Sequence, residues 1–597
     1  MPFVPTLINP LKPPKHYKKT VSYMLALYIW TSMNAQAVLM ALSSAPDPAK
    51  AAFPGLSDSD IVAQINLGPI VQLALTLVAM RLLSTKNGLS RSIRISSILS
   101  VISAAIRLAL IYASDDVRAS AGARVVLNFA AVTAGAAAPF VQGSPSRFSA
   151  IWFPPSRRVL ATAAAYFGTS LGIALSYVLA PLLLPHDDDS LARLLWAHAI
   201  LAAPPVVASF LYCPEKPVGC WWTEADSGAS YGDLSVTAPI SRARVMRELR
   251  GLACNRGFWL VALTGGIVHG PFQSWVAALP TLLDAGAPAD ADAGAARGWR
   301  RLDLIVAVST AAYAVGTCAL GALSDACCRG QHLKRMILGC HVSGVLCLGV
   351  LLAMLPGPWG EAPLCPQHAP CGDTLVCLVA AAAGFVIGGS LAPILELSAQ
   401  LTHPIPEGVS GNLVSNLFIQ LIGILYLTAF LDPRIASGAT AALVACVTLT
   451  VALMLPVREV YTRANAEARV STRITEVYEE ARSRVNTIAS FQNDELRASF
   501  QNEEVMRASR SRMRTSELVS RSVTPTSEIA RNIFDSMGAS ERDSEVRDSA
   551  VSEGPAHEGE NGGESENGSI ACESAMSGDA DSFRTVGTTV SESEDAV

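Results

Sequence analysis

Residues 305–330 read IVAVSTAAYAVGTCALGALSDACCRG. The run is apolar or small up to Ser324, and Asp325 and Arg329 then close it. A block of that length matches the ~20 residues that carry a helix across the hydrocarbon core of a bilayer. Backbone polar groups in lipid must bond one another, so the block is predicted to be a spanning helix. Gly321 lets a second helix backbone come close. Asp325, with Arg329, Lys334 and Arg335 beyond it, puts charge where the helix leaves the lipid. Charge pairs formed there across a seam between helices break when the seam opens, so Asp325, Arg329 and Arg335 are candidate gating residues.

Working outward, similar blocks occur at 21–44, 62–83, 93–113, 123–144, 159–184, 191–212, 258–284, 303–324, 335–355, 374–398, 409–431 and 436–456. No short alternating segments of the kind that build a β-barrel accompany them. Half of the 597 residues are hydrophobic and 16% are charged, with a mean hydropathy of +0.35. A soluble chain of this size carries more charge. The net charge of -5 says little, because the charges are segregated. A polar stretch at 213–257, with prolines and glycines, divides the blocks into two sets of six. The expected fold is all-α: a polytopic membrane protein of 12 transmembrane helices in two six-helix bundles, the major facilitator arrangement. The expected divisions are a cytosolic start at 1–20, bundles at 21–212 and 258–456, a linker at 213–257 and a charged helical segment at 457–534. The Ser- and Glu-rich tail at 535–597 cannot bury enough apolar area to offset ordering entropy, so disorder is expected there. The first block is too long for a signal peptide and lacks a small-residue cleavage pattern.

Orientation follows from the bases. Lys12, Lys15, Lys18 and Lys19 precede the first block. Lys86, Arg91 and Arg94 follow the second, Arg147, Arg157 and Arg158 the fourth, and Arg242 to Arg256 the sixth. All fall on one side of an alternating chain, whereas Asp187, Asp188 and Asp189 fall on the other; Arg297, Arg300 and Arg301 run against the pattern. The bias predicts both termini in the cytosol. The expected location is the plasma membrane or an endolysosomal or vacuolar membrane, and the long tail leaves room for a cytosolic partner. Thirteen cysteines form no paired CxxC sets, so no zinc framework is expected. Cys365 and Cys371, on the non-cytosolic side, are either bridged or two free thiols. Nucleotide loop, nucleophile elbow and metal cluster are all missing from the sequence, so the expectation is no enzyme, no cofactor, no metal and no nucleic-acid partner.

A facilitator's solute sits near mid-membrane between the bundles, so polar residues sharing a mid-helix face are candidates. Asn412, Asn416 and Gln420 recur every four residues and form one stripe. His269 and Gln273 are also four apart, with Trp275 nearby. Tyr166, with Thr162, Thr169, Ser170 and Tyr177, marks the fifth block, and Trp30 with Asn34 the first. The substrate-binding candidates are therefore Asn34, Tyr166, His269, Gln273, Trp275, Asn416 and Gln420. For any single amide the competing role is an interhelical hydrogen bond. His269 is the best candidate for proton coupling, because imidazole titrates near neutral pH. Arg107, inside the third block, is expected to pair with an acid or to snorkel outward. Glu396 is placed at a latch rather than in the site.

Three stretches carry a resemblance. One is Ala138-Pro139-Phe140 followed by Ala150-Ile151-Trp152-Phe153-Pro154-Pro155-Ser156-Arg157-Arg158. A second runs from Glu396 through Thr402-His403-Pro404-Ile405-Pro406-Glu407-Gly408, and a third is Asn255-Arg256-Gly257-Phe258. Together they resemble the family of the feline leukaemia virus subgroup C receptor within the major facilitator superfamily. The Gly321-to-Arg329 stretch is similar to the facilitator signature loop; in the first half Ser84 takes the place of its acid. The resemblance implies a solute carrier working by alternating access on a small organic solute, of the choline, ethanolamine or pyridoxine class. Members are also linked to haem, which leaves a haem or porphyrin transporter as one alternative and a non-transporting nutrient sensor as another. The family's Asn-Ala-Phe-Gln-Trp run in the first helix is here Asn34-Ala35-Gln36-Ala37-Val38, without the tryptophan that helps hold a quaternary amine.

Overall fold

The computed structural model describes residues 16–184, 190–218, 220, 250–284, 295–328, 332–354, 370–403, 405–430 and 438–465, with most of 468–487. The chain divides into two compact units, residues 5–482 and residues 1–4 with 483–597. The first unit holds every helix discussed here.

The described residues are helical and contain no strand. The first six long helices are α1 (Tyr17–Leu39), α2 (Asp58–Leu83), α3 (Gly88–Ile111), α4 (Ala121–Ala137), α5 (Arg158–Leu183) and α6 (Ser190–Leu211). A second set follows: α7 (Arg256–Asp284), α8 (Ala295–Cys328), α9 (Leu333–Met354), α10 (Pro370–Thr402), α11 (Glu407–Ala429) and α12 (Ala439–Met454). Nine helices among the described residues are long and apolar enough to cross a membrane. The expected all-helical, two-set architecture is what the chain adopts. Arg329, Cys365 and most of the expected linker lie outside the described residues, as does the tail beyond Thr487.

Two blocks stop or break short of the sequence expectation, each ahead of a proline that opens a new helix. The first helix ends at Leu39, and a short helix starts at Pro46 rather than α1 running on to residue 44. The fourth block is broken: α4 gives way to short helices at Pro139–Gln142 and Pro145–Trp152. A proline has no N–H and fits the first turn of a new helix better than the middle of an old one. Pro145 cannot bond the Val141 carbonyl, which instead accepts from the buried Tyr28 hydroxyl.

Close helix crossings hold each half together. A Cβ on Gly172 of α5 would strike the Met33 carbonyl of α1. A Cβ on Gly388 of α10 would strike the Tyr313 carbonyl of α8 in the same way. Without a hydrophobic drive between helices in lipid, such close backbone packing is a main source of association.

The halves also repeat a turn. Asn87, before α3, and His332, before α9, are left-handed with φ of 61° and 59°. Each following helix start is capped by a glutamate from beyond its half's last helix. Glu215 accepts from the Leu89 and Ser90 N–H groups at 3.1 and 2.9 Å, and Glu459 accepts from Lys334 N–H at 2.5 Å. Exposed N–H groups and the positive end of the helix dipole both favour a carboxylate there. Leu333 N–H donates to Tyr461 (3.1 Å), whose hydroxyl burial pushes up to about 12.

Candidate functional site

The near face is taken as the one holding the start of α1. Tyr17 there donates to the Trp152 carbonyl at 2.6 Å, and Tyr23 to that of Ala208 at 2.9 Å. On this face the halves are sewn together. Asp325, at the end of α8, accepts from the Leu160 N–H at the start of α5 at 2.8 Å. The carboxylate of one half thus caps a helix of the other, where sequence reasoning had looked for a partner among the bases. Gly321, one turn earlier, packs on Ala163. Arg335 is exposed and forms no ion pair among the described residues.

The α11 stripe forms the second seam. Asn412 donates to the Gly143 carbonyl at 3.2 Å and to Gly408 at 2.6 Å. Asn416 donates to Pro139 at 3.0 Å and to Asn412 Oδ1 at 2.7 Å. Both amides are fully buried. They fasten onto backbone carbonyls at the broken end of α4, where helical bonding lapses. A π turn at Leu413–Phe418 lies within this stretch of α11, a local widening of the helix often found at functional positions.

Behind the seam lies a buried charge cluster. Arg463, from the segment after α12, donates to Glu396 of α10 at 2.6 Å and to Glu407 of α11 at 3.3 Å. Its side chain and that of Glu396 are 3% and 4% exposed. Gln400 donates to Glu396 at 3.0 Å and accepts from Ala464 N–H at 3.1 Å. The post-α12 segment therefore straps the near ends of α9, α10 and α11.

Toward the far face the halves part around an open cavity. Gln36 of α1, Gln72 of α2 and Gln142 line it from the first half, and Gln273 of α7, Tyr313 of α8 and Gln420 of α11 from the second. Among the described residues none of the lining side chains carries a charge.

No family model matches the chain. Over 304 residues it is 26% identical to the choline/ethanolamine transporter flvcr2b of Danio rerio, taking in 49% of this chain and 55% of that protein. Over 389 residues it is 24% identical to the solute carrier family 49 member 4 homolog of Xenopus laevis, taking in 63% of this chain and 78% of that protein. The chain thus spans about half the length of the first relative. A solved structure of a double-tryptophan XylE mutant superposes with a TM-score of 0.51 and 15% identity, over 76% of this chain and 99% of that one, and shows the fold. The chain has the fold of that transporter and is similar in sequence to solute carrier 49 proteins. It is a multi-pass integral membrane protein, and the resemblance drawn from the Trp-Phe-Pro-Pro and Pro-Ile-Pro-Glu-Gly stretches agrees with these relatives.

Of the residues singled out in the sequence, Ser170, Gln273 and Gln420 line the cavity. Tyr166 stands beside Gln273. The others lie elsewhere. Asn34 donates to the Leu201 carbonyl at 2.7 Å, on the flank facing α6, and Trp30 uses the same carbonyl. Asn416 belongs to the seam. His269 is enclosed, with Tyr313 on one ring nitrogen at 2.9 Å and Ser390 on the other at 3.3 Å. Trp275 turns toward α12 and donates to Thr440 at 3.1 Å. Trp275→Phe is therefore expected to leave solute affinity unchanged while lowering stability by about 1 kcal/mol for the lost hydrogen bond, as read by thermal unfolding and ligand titration. Arg107 neither snorkels nor pairs with a carboxylate among the described residues; it is 1% exposed and donates to the Val38 carbonyl.

Sequence reasoning passed over Gln36, Gln72, Gln142, Tyr313 and Arg463. A signal existed for the first two. Gln36 is two residues from Asn34, about 200° round the helix, so the two could not share a wall. Gln72 stands eight residues after Gln64, with Asn66 between, which keeps the two glutamines near one face of the helix.

Proposed function

We propose that this chain carries a small organic solute of the amine or vitamin-like class across a membrane by alternating access, as a carrier rather than an enzyme. The observation that supports it most is the cavity between the halves, where carboxamides stand among mostly apolar side chains, roofed on the near face by Asp325–Leu160 and by the Asn412 and Asn416 contacts. That arrangement has one gate shut, and opening it means breaking a short set of named contacts. The relatives' names, choline/ethanolamine transporter among them, favour the same class. We take the near face, with its bases, as cytosolic, in the plasma membrane or an endolysosomal or vacuolar membrane. The porphyrin alternative gains nothing from the cavity, which has no basic or histidine side chain among its described lining.

The test is tracer accumulation in proteoliposomes holding the purified full chain. Gln420→Ala, which removes a cavity amide, is expected to cut uptake about tenfold with thermal unfolding unchanged. Saturable binding without accumulation would instead identify a sensor.

A further inference from the structure

We infer that the cavity takes a neutral solute whose polar groups are each both donor and acceptor, hydroxyls or carboxamides, and that it discriminates against ammonium cations. The inference rests on the carrier reading above and narrows its substrate to the uncharged, vitamin-like side of that class, setting the charged amines aside. Six carboxamides line the cavity: Gln36, Asn66, Gln72, Gln142, Gln273 and Gln420. Gln36, Gln72 and Gln142 are 3%, 2% and 3% exposed. Nε2 of Gln36, Oε1 of Gln72 and of Gln142, and Oδ1 of Asn66 have no hydrogen-bond partner among the described residues. Buried polar groups are ordinarily paired, so the set is left for something that enters.

The chemistry of an amide decides what that is. Each one offers a donor NH₂ and an acceptor oxygen side by side. A hydroxyl or carboxamide on the solute answers both. A primary ammonium donates only, and a quaternary ammonium can do neither, so ethanolamine or choline would answer the amides through its single hydroxyl and leave the rest unpaired. A cation stripped of water also needs an opposite charge or enclosing aromatic faces. No described lining side chain is charged, and the lining rings Phe272 and Tyr313 stack on each other within the second half, 5.7 Å apart at 14°. They do not face one another across the cavity, and Trp30 of α1 is engaged at Leu201 on another flank.

The experiment loads proteoliposomes of the full chain with labelled myo-inositol, nicotinamide, choline and ethanolamine in separate runs. At least one neutral probe is expected to accumulate, with choline and ethanolamine at least about tenfold lower. Gln72→Glu, or Gln142→Glu where the first variant folds poorly, puts a carboxylate into the cavity and is expected to raise choline uptake about tenfold at the neutral probe's expense. Choline or ethanolamine accumulating in the unaltered protein while neither neutral probe does overturns the neutral-solute inference and leaves the carrier standing. No accumulation of any of the four by any of the proteins removes the carrier reading along with it.

Discussion

Arg463→Met is expected to destabilise the protein by about 3–5 kcal/mol, because it removes the cation paired with the buried Glu396 and Glu407. The guanidinium holds both carboxylates at 2.6 and 3.3 Å from a nearly dry position. Taking one partner from such a cluster exposes the full desolvation penalty of what remains. Neutralising the acids as well should recover most of the loss, since replacing a whole buried cluster by uncharged groups is often close to neutral. Thermal unfolding of the purified protein checks this with Arg463→Met alone and combined with Glu396→Gln and Glu407→Gln. Equal unfolding temperatures for the single variant and the parent would mean that the strap adds nothing to the fold. Because α10 and α11 also face the seam, the same variant should loosen the near face. Gly408, next to Glu407, already sits against Leu83 and Arg147 of the other half.

Asp325→Ala is expected to shift the balance between closed and open near face about tenfold toward open. The carboxylate contributes a capping hydrogen bond to α5 and a favourable charge at its positive end, together about 1–2 kcal/mol. Every 1.4 kcal/mol is about a factor of ten in an equilibrium. This contact joins the halves and must break on opening, so its loss falls wholly on the closed state. The readout is maleimide labelling of Ala163→Cys, a position fully buried against Gly321, in a background with Cys254 and Cys327 changed to serine. Asp325→Asn keeps an acceptor but loses the charge, and should fall between the two. Labelling that does not change in either variant would sink the latch.

Some of this protein could be read from one residue to the next. Runs such as 305–324 and 335–355 can be stable in lipid only as helices, because each backbone group must find a partner within its own segment. The polar break at 213–257 then divides them, and bases after alternate helices fall on one face. Gln273 and Gln420 were legible as polar groups in mid-helix, and Asp325 as a charge at a helix end. Such rules are local, and the chain's own periodicity satisfies them.

What the sequence left open is what each polar side chain meets. Asn416 and Gln420 are one helical turn apart on the same stripe, yet one bonds the Pro139 carbonyl and the other lines the cavity. The difference is made by where α4 breaks on the opposite half. His269 and Gln273, equally spaced, part in the same way, because Tyr313 and Ser390 close over the imidazole. Arg463 looked like one more base in a charged segment until the chain folded back beneath α10 and α11. A buried polar group takes its role from the partner that satisfies it, and here those partners stand as many as 277 positions away along the chain.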